Sequence, residues 1–92
     1  IIDNMMNLEL LFYVSKLTGN PKYKNAAISH ATKTMQNHFR ADYSTYHVVD
    51  YDEKTGKVLH QQTNQGYADN STWSRGQGWA IYGFTLMYRE TQ

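Results

Sequence analysis

The sequence contains no cysteine, which excludes disulfide bonds and thiol chemistry but leaves the cellular compartment open. No apolar run reaches the roughly 18 residues that a membrane-spanning helix needs. The formal net charge is only +1, without the basic run that indicates nucleic-acid binding. We therefore expect neither a membrane span nor a nucleic-acid partner.

Aromatic residues are the abundant class, with eight Tyr, three Phe and two Trp. Many of them stand beside polar residues, as in sites that stack against sugar rings, although core packing is the commoner explanation for any single ring. A chain of 92 residues suffices for one small domain with a marginal core. Because it starts at Ile1, not Met, and enters an apolar helix pattern almost at once, we interpret it as an internal piece of a longer protein.

The first half of the chain predicts two helices joined by a tight turn. Apolar residues surround most of residues 2–17, which is typical of a helix buried on several sides. Gly19 suits a left-handed C-cap, and Pro21 suits the first turn of a second helix that extends to about His38 with one polar face. Such an αα-hairpin is the repeating unit of double-layered helical folds.

The second half predicts a β-hairpin and a third helix. Residues 46–51 and 58–63 have strand composition and flank a turn at residues 52–57. The last helix is predicted from Ser71 or Thr72 to Thr91, although each glycine inside it costs about 1 kcal/mol relative to alanine. Gly76, Ala80 and Gly83 form a stripe of small residues, which predicts that another backbone or a ligand approaches closely.

Asp3 is the first candidate for chemistry, in the opening turn of a mostly apolar helix. Capping or complementing the helix dipole is the more common role of such a residue. A carboxyl group buried in a cleft would instead have a raised pKa and would donate a proton near neutral pH. Asn7 is spaced i, i+4 from Asp3 and is expected on the same helix face.

Arg75 stands in the first turn of the predicted last helix, where the dipole disfavours a cation. Either a carboxylate ligand or a salt bridge elsewhere in the fold would explain it. Trp79 lies one turn further on the same face, and Trp73 lies two residues before Arg75, so an arginine and a flat ring together could hold a charged sugar.

His47 lies in the first predicted strand, and Gln65 offers an amide donor beside a glycine shortly before the last helix. A lone histidine is more often a structural hydrogen-bonding residue than a catalyst. The spacing of the four histidines fits no zinc motif, and neither a phosphate-binding loop nor a nucleophile elbow is present.

Four blocks of residues, in this order and spacing, resemble glycoside hydrolase family 88, the unsaturated glucuronyl hydrolases, over essentially the whole chain. The blocks are Asp3-Asn4-Met5-Met6-Asn7-Leu8, Tyr46-His47-Val48-Val49-Asp50-Tyr51, Gln65-Gly66-Tyr67, and Ser71-Thr72-Trp73-Ser74-Arg75-Gly76-Gln77-Gly78-Trp79 followed by Tyr82-Gly83. The resemblance implies an all-α fold, an (α/α)6 barrel of six helical hairpins in two concentric rings. Residues 1–92 would be part of its single catalytic domain, with the β-hairpin as a short insertion, and would need the rest of the barrel.

The resemblance also implies the site and the reaction. Asp3 matches the general acid/base of the family, and a second family aspartate has no counterpart here. The expected uronate-binding residues are His47, Gln65, Trp73, Arg75 and Trp79. The substrate would be a lyase-generated oligosaccharide with a C4=C5 double bond in its terminal uronate, and hydration of this vinyl ether would release the next sugar without a metal or cofactor. Bacterial periplasm and cytoplasm both remain open as locations.

Three alternatives remain open at this point. The related unsaturated rhamnogalacturonyl hydrolases share the Arg-Gly-Gln-x-Trp block, which is Arg75 to Trp79 here, but are less similar around Asp3 and His47. A carbohydrate-binding or structural helical segment would use its aromatic residues without turnover. A sugar epimerase on the same barrel would need several histidine bases, and only His47 is placed suggestively.

Overall fold

Residues 1–91 are described by the computed structural model, which is mostly helical with one small β-hairpin. A 3₁₀ helix, Ile2–Asn7, leads directly into α1, Leu8–Thr18. The other elements are α2 (Pro21–Asn37), β1 (Val48–Tyr51), β2 (Val58–Gln62) and α3 (Ser74–Thr91). No helix within residues 1–91 is both long enough and apolar enough to cross a membrane.

The predicted αα-hairpin is confirmed, with α1 and α2 packed together. Gly19 ends α1 in the left-handed conformation at φ 72°, and its N–H donates to the Ser15 carbonyl over 2.9 Å. Asn20 then caps α2, because its side-chain oxygen accepts from the Lys22 N–H at 2.9 Å. Pro21 occupies the first position of α2, where its missing N–H has no helical partner to lose.

The prediction of one continuous first helix is wrong for its opening six residues, which form the 3₁₀ helix. The Ile2 N–H donates to the His47 carbonyl over 2.8 Å, while the Ile2 and Met5 side chains are fully buried. The opening segment is thus bonded to the start of the β-hairpin and packed against α3. A 3₁₀ helix has three residues per turn, so Asp3 and Asn7 do not share a face as an α-helix would require.

The stripe of small residues on α3 has the predicted consequence, because the 3₁₀ helix lies directly against it. A Cβ atom added at Gly83 would lie 2.5 Å from the Met5 Cβ, and one added at Gly76 would lie 3.0 Å from the Ile2 Cγ2. Ala80, between these glycines, is buried. The small residues thus offset their low helix propensity by permitting close packing of the segment that carries Asp3.

The segment between α2 and β1 doubles back on itself. Phe39 and Thr45 form an antiparallel bridge, and the Tyr46 N–H donates to the His38 carbonyl over 2.7 Å. The His38 Nδ1–H returns a hydrogen bond to the Tyr46 carbonyl at 2.9 Å. This arrangement directs the chain at His47 back towards the 3₁₀ helix.

The predicted β-hairpin is confirmed, with β1 and β2 paired antiparallel and a register irregularity between Asp50 and Tyr51. The last helix, however, begins at Ser74 and not at Ser71 or Thr72. The Ser71 hydroxyl instead donates to the Ala68 carbonyl at 2.7 Å, and its N–H donates to the same carbonyl at 3.0 Å. Ser71 therefore stabilises a turn before the helix, and Arg75 still lies in the first turn of α3.

Candidate active site

Asp3 and His47 meet at the contact between the 3₁₀ helix and the start of the β-hairpin. The Asp3 Oδ1 lies 3.3 Å from the His47 Nε2. The His47 side chain is fully buried, whereas 32% of the Asp3 side chain remains exposed. Asp3 forms no side-chain cap of its helix, so the structure favours a partner role over a capping role.

The proton on the His47 ring can be assigned from its neighbours. The backbone N–H groups of Asn64 and Gln65 approach the His47 Nδ1 at 3.0 and 3.3 Å, and the Thr63 hydroxyl lies 3.4 Å away. Because backbone N–H groups only donate, Nδ1 accepts and carries no proton. The ring proton is therefore on Nε2, the nitrogen that faces the Asp3 carboxylate.

The Asp3–His47 contact lacks the alignment of a full hydrogen bond. The Asp3 Oδ1 and the His47 Nε2 are both buried, and neither has a hydrogen-bond partner among the described residues. Buried polar atoms without partners are rare and mark places where a water or ligand completes the network. Catalytic hydrogen bonds are also often long in the free enzyme and tighten when substrate binds.

Trp73 joins this pair to the start of α3. Its ring centroid lies 4.3 Å from that of His47, with 35° between the planes. The Arg75 guanidinium carbon lies 5.3 Å from the Trp73 ring centroid, close enough for a cation–π contact. The structure thus connects Asp3, His47, Trp73 and Arg75 in one continuous series of contacts.

Arg75 itself is exposed and forms no salt bridge with a carboxylate in the part of the chain that the structure describes. The simpler explanation from the sequence, an internal ion pair, therefore has no support within residues 1–91. Its ring contact is with Trp73, one of the two tryptophans that flank it in the sequence. Trp79 is half-buried one turn further along α3.

Gln65 reaches the site through its backbone rather than its side chain. Its backbone N–H donates to the His47 Nδ1 at 3.3 Å, while its exposed side-chain amide forms no hydrogen bond with other described residues. The loop is anchored where the Thr63 N–H donates to the Asp69 Oδ1 over 2.9 Å. The side chain of Gln65 is consequently available to a ligand.

Gln77 lies close to the site and was not singled out from the sequence. The Gln77 Oε1 accepts from the Thr45 N–H at 2.9 Å, and its Nε2 donates to the Tyr43 carbonyl at 3.0 Å. Gln77 thereby fastens α3 to the segment that leads into His47. A polar residue one turn before buried Ala80 was the available signal, since a side chain on that face needs a hydrogen-bond partner.

No group of three or more His, Asp or Glu side chains within residues 1–91 is arranged to hold a metal ion. The buried acceptor of the site is a carboxyl oxygen of Asp3, and the buried donor is the Nε2–H of His47. This pair can hold a proton and orient a water molecule or a hydroxyl group. Trp73 and Arg75 add a flat apolar face and a positive charge beside them.

The Glycosyl Hydrolase Family 88 model matches residues 2–91, and the chain belongs to this family. It is 55% identical over 91 residues to the unsaturated glucuronyl hydrolase of Formosa agariphila, covering 99% of this chain and 23% of that protein. The chain therefore spans about a quarter of the length of the curated relatives it matches.

Solved structures of unsaturated glucuronyl hydrolases have a similar backbone over these residues. The crystal structure of an unsaturated glucuronyl hydrolase specific for heparin superposes with a TM-score of 0.97 at 52% identity, covering 99% of this chain and 24% of that one. A mutant unsaturated glucuronyl hydrolase of Streptococcus agalactiae, complexed with the disaccharide dGlcA-GalNAc6S, superposes with a TM-score of 0.78 at 43% identity, covering 97% and 24%. The 3₁₀ helix, the β-hairpin and α3 therefore belong to an arrangement found in this family.

Proposed function

We propose that the protein containing these residues is a glycoside hydrolase that releases the terminal unsaturated uronic acid from lyase-generated oligosaccharides. The observation that carries the proposal is the Asp3 carboxylate facing the Nε2–H of buried His47, in a chain of this family. The relatives support the substrate class, because they bear the names of unsaturated glucuronyl and chondroitin disaccharide hydrolases.

The proposed reaction begins with a proton rather than a nucleophile. The carboxylic acid of Asp3 donates its proton to C4 of the C4=C5 double bond, and water adds at C5 while the carboxylate accepts the proton of that water. The resulting hemiketal opens to a C5 ketone, which leaves a hemiacetal at C1 that expels the next sugar as an alcohol. One carboxyl group thus serves as both acid and base, unlike the acid and nucleophile of retaining glycosidases.

His47 would orient Asp3 in this reaction. Once the contact tightens, the Nε2–H would donate to the Asp3 Oδ1, which leaves the second carboxyl oxygen to carry the proton or contact water. Gln65, Trp73, Arg75 and Trp79 would form the uronate subsite. The exposed guanidinium of Arg75 is suited to the sugar carboxylate, because charge-assisted bonds of this type are about twice as strong as neutral ones.

We also propose that residues 1–92 are part of a single (α/α)6 catalytic domain. Large apolar side chains remain exposed along one side of the 3₁₀ helix and α1, namely Met6, Leu10, Tyr13 and Leu17. Ile81 and Tyr88 form a similar exposed pair on α3, at 65% and 69% exposure. Neighbouring hairpins of the barrel would cover these faces, since apolar stripes of this kind normally pack against another element.

A spectroscopic assay on the full-length protein tests the proposed activity. Hydration of the C4=C5 bond removes the conjugation with the uronate carboxyl group, so ultraviolet absorbance falls as the reaction proceeds. Unsaturated disaccharides of the heparin and chondroitin types are the first substrates, and their saturated counterparts are the controls. Absorbance loss with the unsaturated sugars and no cleavage of the saturated ones is the expected result.

Cleavage of the saturated disaccharides would contradict the vinyl-ether mechanism, because it requires direct attack at the glycosidic carbon. Activity confined to unsaturated rhamnogalacturonan disaccharides would transfer the protein to that related specificity. Stoichiometric binding of the unsaturated sugars without turnover would identify a carbohydrate-binding protein instead of an enzyme.

A further inference from the structure

Arg40 directly follows Phe39, which forms the antiparallel bridge with Thr45 after α2. It is half-buried and has no carboxylate partner among the described residues. Its guanidinium group instead contacts five neutral oxygens through the four N–H groups of Nη1 and Nη2, so two of the acceptors share one hydrogen. Nη1 donates to the Ser44 hydroxyl at 3.2 Å, the Thr45 carbonyl at 3.3 Å and the Thr72 hydroxyl at 2.9 Å, and Nη2 donates to the carbonyls of Asp69 at 3.1 Å and Ser71 at 2.9 Å.

These bonds join two backbone segments that are distant in sequence. Residues 44–45 lead into β1, and residues 69–72 lead into α3. The guanidinium carbon also lies 4.1 Å from the ring centroid of Tyr46, close enough for a cation–π contact. Lysine cannot reproduce this geometry, because its ammonium group is a compact point with three donors and not a planar fork.

Each joined segment continues directly into a residue of the candidate site. Tyr46 precedes His47, and Thr72 precedes Trp73. The two rings that follow, those of His47 and Trp73, lie 4.3 Å apart, and Trp73 in turn contacts Arg75. The hydrogen bonds of Arg40 therefore connect the backbone that leads into His47 to the backbone that leads into Trp73.

We propose that Arg40 is a positioning residue of the site. It sets the separation of His47 and Trp73, and through Trp73 the place of the Arg75 guanidinium, without contacting Asp3. The expected change in KM rests on the proposed function. The expected placement of Trp73 rests on the hydrogen bonds alone. A misplacement of binding groups by about 1 Å lowers the efficiency of an enzyme by as much as about a hundredfold.

The kinetic test compares Arg40→Lys with Arg89→Lys in the full-length protein. Arg89 is the matched control, because it is an exposed arginine on α3 that bonds to the carboxylates of Glu9 and Glu90, away from the site. Arg40→Lys is expected to raise KM for the unsaturated disaccharide by about tenfold or more, with a smaller change in kcat and an unchanged pH profile. Equal KM values in the two variants would overturn the positioning role.

A second measurement keeps the inference testable if the protein has no such activity. The change in tryptophan fluorescence caused by Arg40→Lys is measured in the wild-type background and in a Trp73→Phe background. A change in the first background that disappears in the second is expected, because the displaced ring is that of Trp73. The same change in both backgrounds, or in neither, would contradict the inference independently of turnover.

Discussion

At the scale of single residues, the geometry of His47 is set by groups that belong to the backbone. Two N–H donors point at Nδ1, so the proton on Nε2 faces Asp3 without any need for a second ionised side chain. A neutral donor of this kind can orient a carboxyl group in both its protonated and its ionised form. That property suits a carboxyl group that first gives a proton and then receives one.

Substitution of His47 tests this donor role. Glutamine places an amide N–H near the position of Nε2, whereas asparagine is too short to reach it. We expect His47→Gln to retain at least about tenfold more activity than His47→Asn, because hydrogen bonds to charged groups contribute about 1.5–3 kcal/mol. The measurement is kcat for an unsaturated disaccharide, and equal losses in both variants would contradict the donor role of the His47 Nε2–H.

His38 makes stability depend on pH at the base of the hairpin. Burial lowers the pKa of His38 to about 4 from 6.5, although its hydrogen bond to the Tyr46 carbonyl raises it in part. The unfolded chain therefore binds a proton at higher pH than the folded chain, and stability falls as the pH falls from about 6.5 to about 4. The loss is at most about 3 to 4 kcal/mol, since each pKa unit corresponds to about 1.4 kcal/mol.

His38→Asn removes this titration while its amide can still donate to the Tyr46 carbonyl. We expect the difference in Tm between wild type and variant to shrink as the pH is lowered from 7 to 4.5. Thermal unfolding at a series of pH values measures it. Parallel curves for the two proteins would show that His38 is not the titrating group.

At the scale of elements, the packing of the 3₁₀ helix on α3 places Asp3. The close approach depends on Gly83, where an added Cβ would also lie 3.1 Å from the Met5 carbonyl oxygen. Gly83→Ala should destabilise the fold by roughly 1–3 kcal/mol, as overpacking does, even though alanine is the better helix former. A lower Tm and a lower kcat are both expected.

Gly78→Ala is the matched control on the same helix. A Cβ at Gly78 meets nothing within 4 Å among the described residues. The substitution should therefore stabilise α3 by up to about 1 kcal/mol or leave it unchanged. Equal destabilisation by the two alanines would mean that the loss comes from the helix itself and not from its contact with the 3₁₀ helix.

The elements that follow local rules could be predicted from the sequence. The αα-hairpin followed from its apolar patterns and from the residues at its turn, Gly19 to Pro21, and the β-hairpin followed from its turn composition and the strand composition on either side. The first of the two errors occurs where tertiary contacts override such rules, and the second occurs where a competing local turn does. Residues 2–7 are 3₁₀ because Ile2 bonds to His47 and Met5 packs on α3, and Ser71 bonds to Ala68 instead of opening the last helix.

The candidate site was less accessible to such reasoning. Resemblance to the family selected Asp3 and His47, and the structure brings these two together. Helical spacing put Trp79 on the same face as Arg75, whereas the ring contact that the structure shows is with Trp73, which precedes the helix. Arg40 could not have been found locally, because its partners in the 69–72 segment lie 29 to 32 residues away.

At the scale of the whole molecule, the described residues leave many large side chains uncovered. Leu10, Leu17 and Ile81 are each more than 60% exposed. A folded protein rarely presents several such residues on the sides of its helices unless another surface covers them. This pattern agrees with a chain that spans about a quarter of its relatives.

We therefore expect the isolated residues 1–92 to be inactive on unsaturated disaccharides and to bind a hydrophobic dye. The full-length protein should be active and bind the dye weakly, because neighbouring hairpins cover these faces. Turnover by the isolated chain would contradict the proposal that the rest of the barrel completes the site. A compact chain without dye binding would contradict the proposed covering of the apolar faces.

The direct measurement is the ultraviolet absorbance of an unsaturated disaccharide with the full-length wild type, with Asp3→Asn and with Glu53→Gln. Glu53 is an exposed carboxylate in the hairpin turn and controls for the loss of one negative charge. If Asp3 is the proton donor to C4, absorbance falls with wild type and Glu53→Gln and stays constant with Asp3→Asn, whose Tm remains close to that of wild type. Absorbance loss at the wild-type rate with Asp3→Asn would contradict the assignment of Asp3 as the catalytic acid.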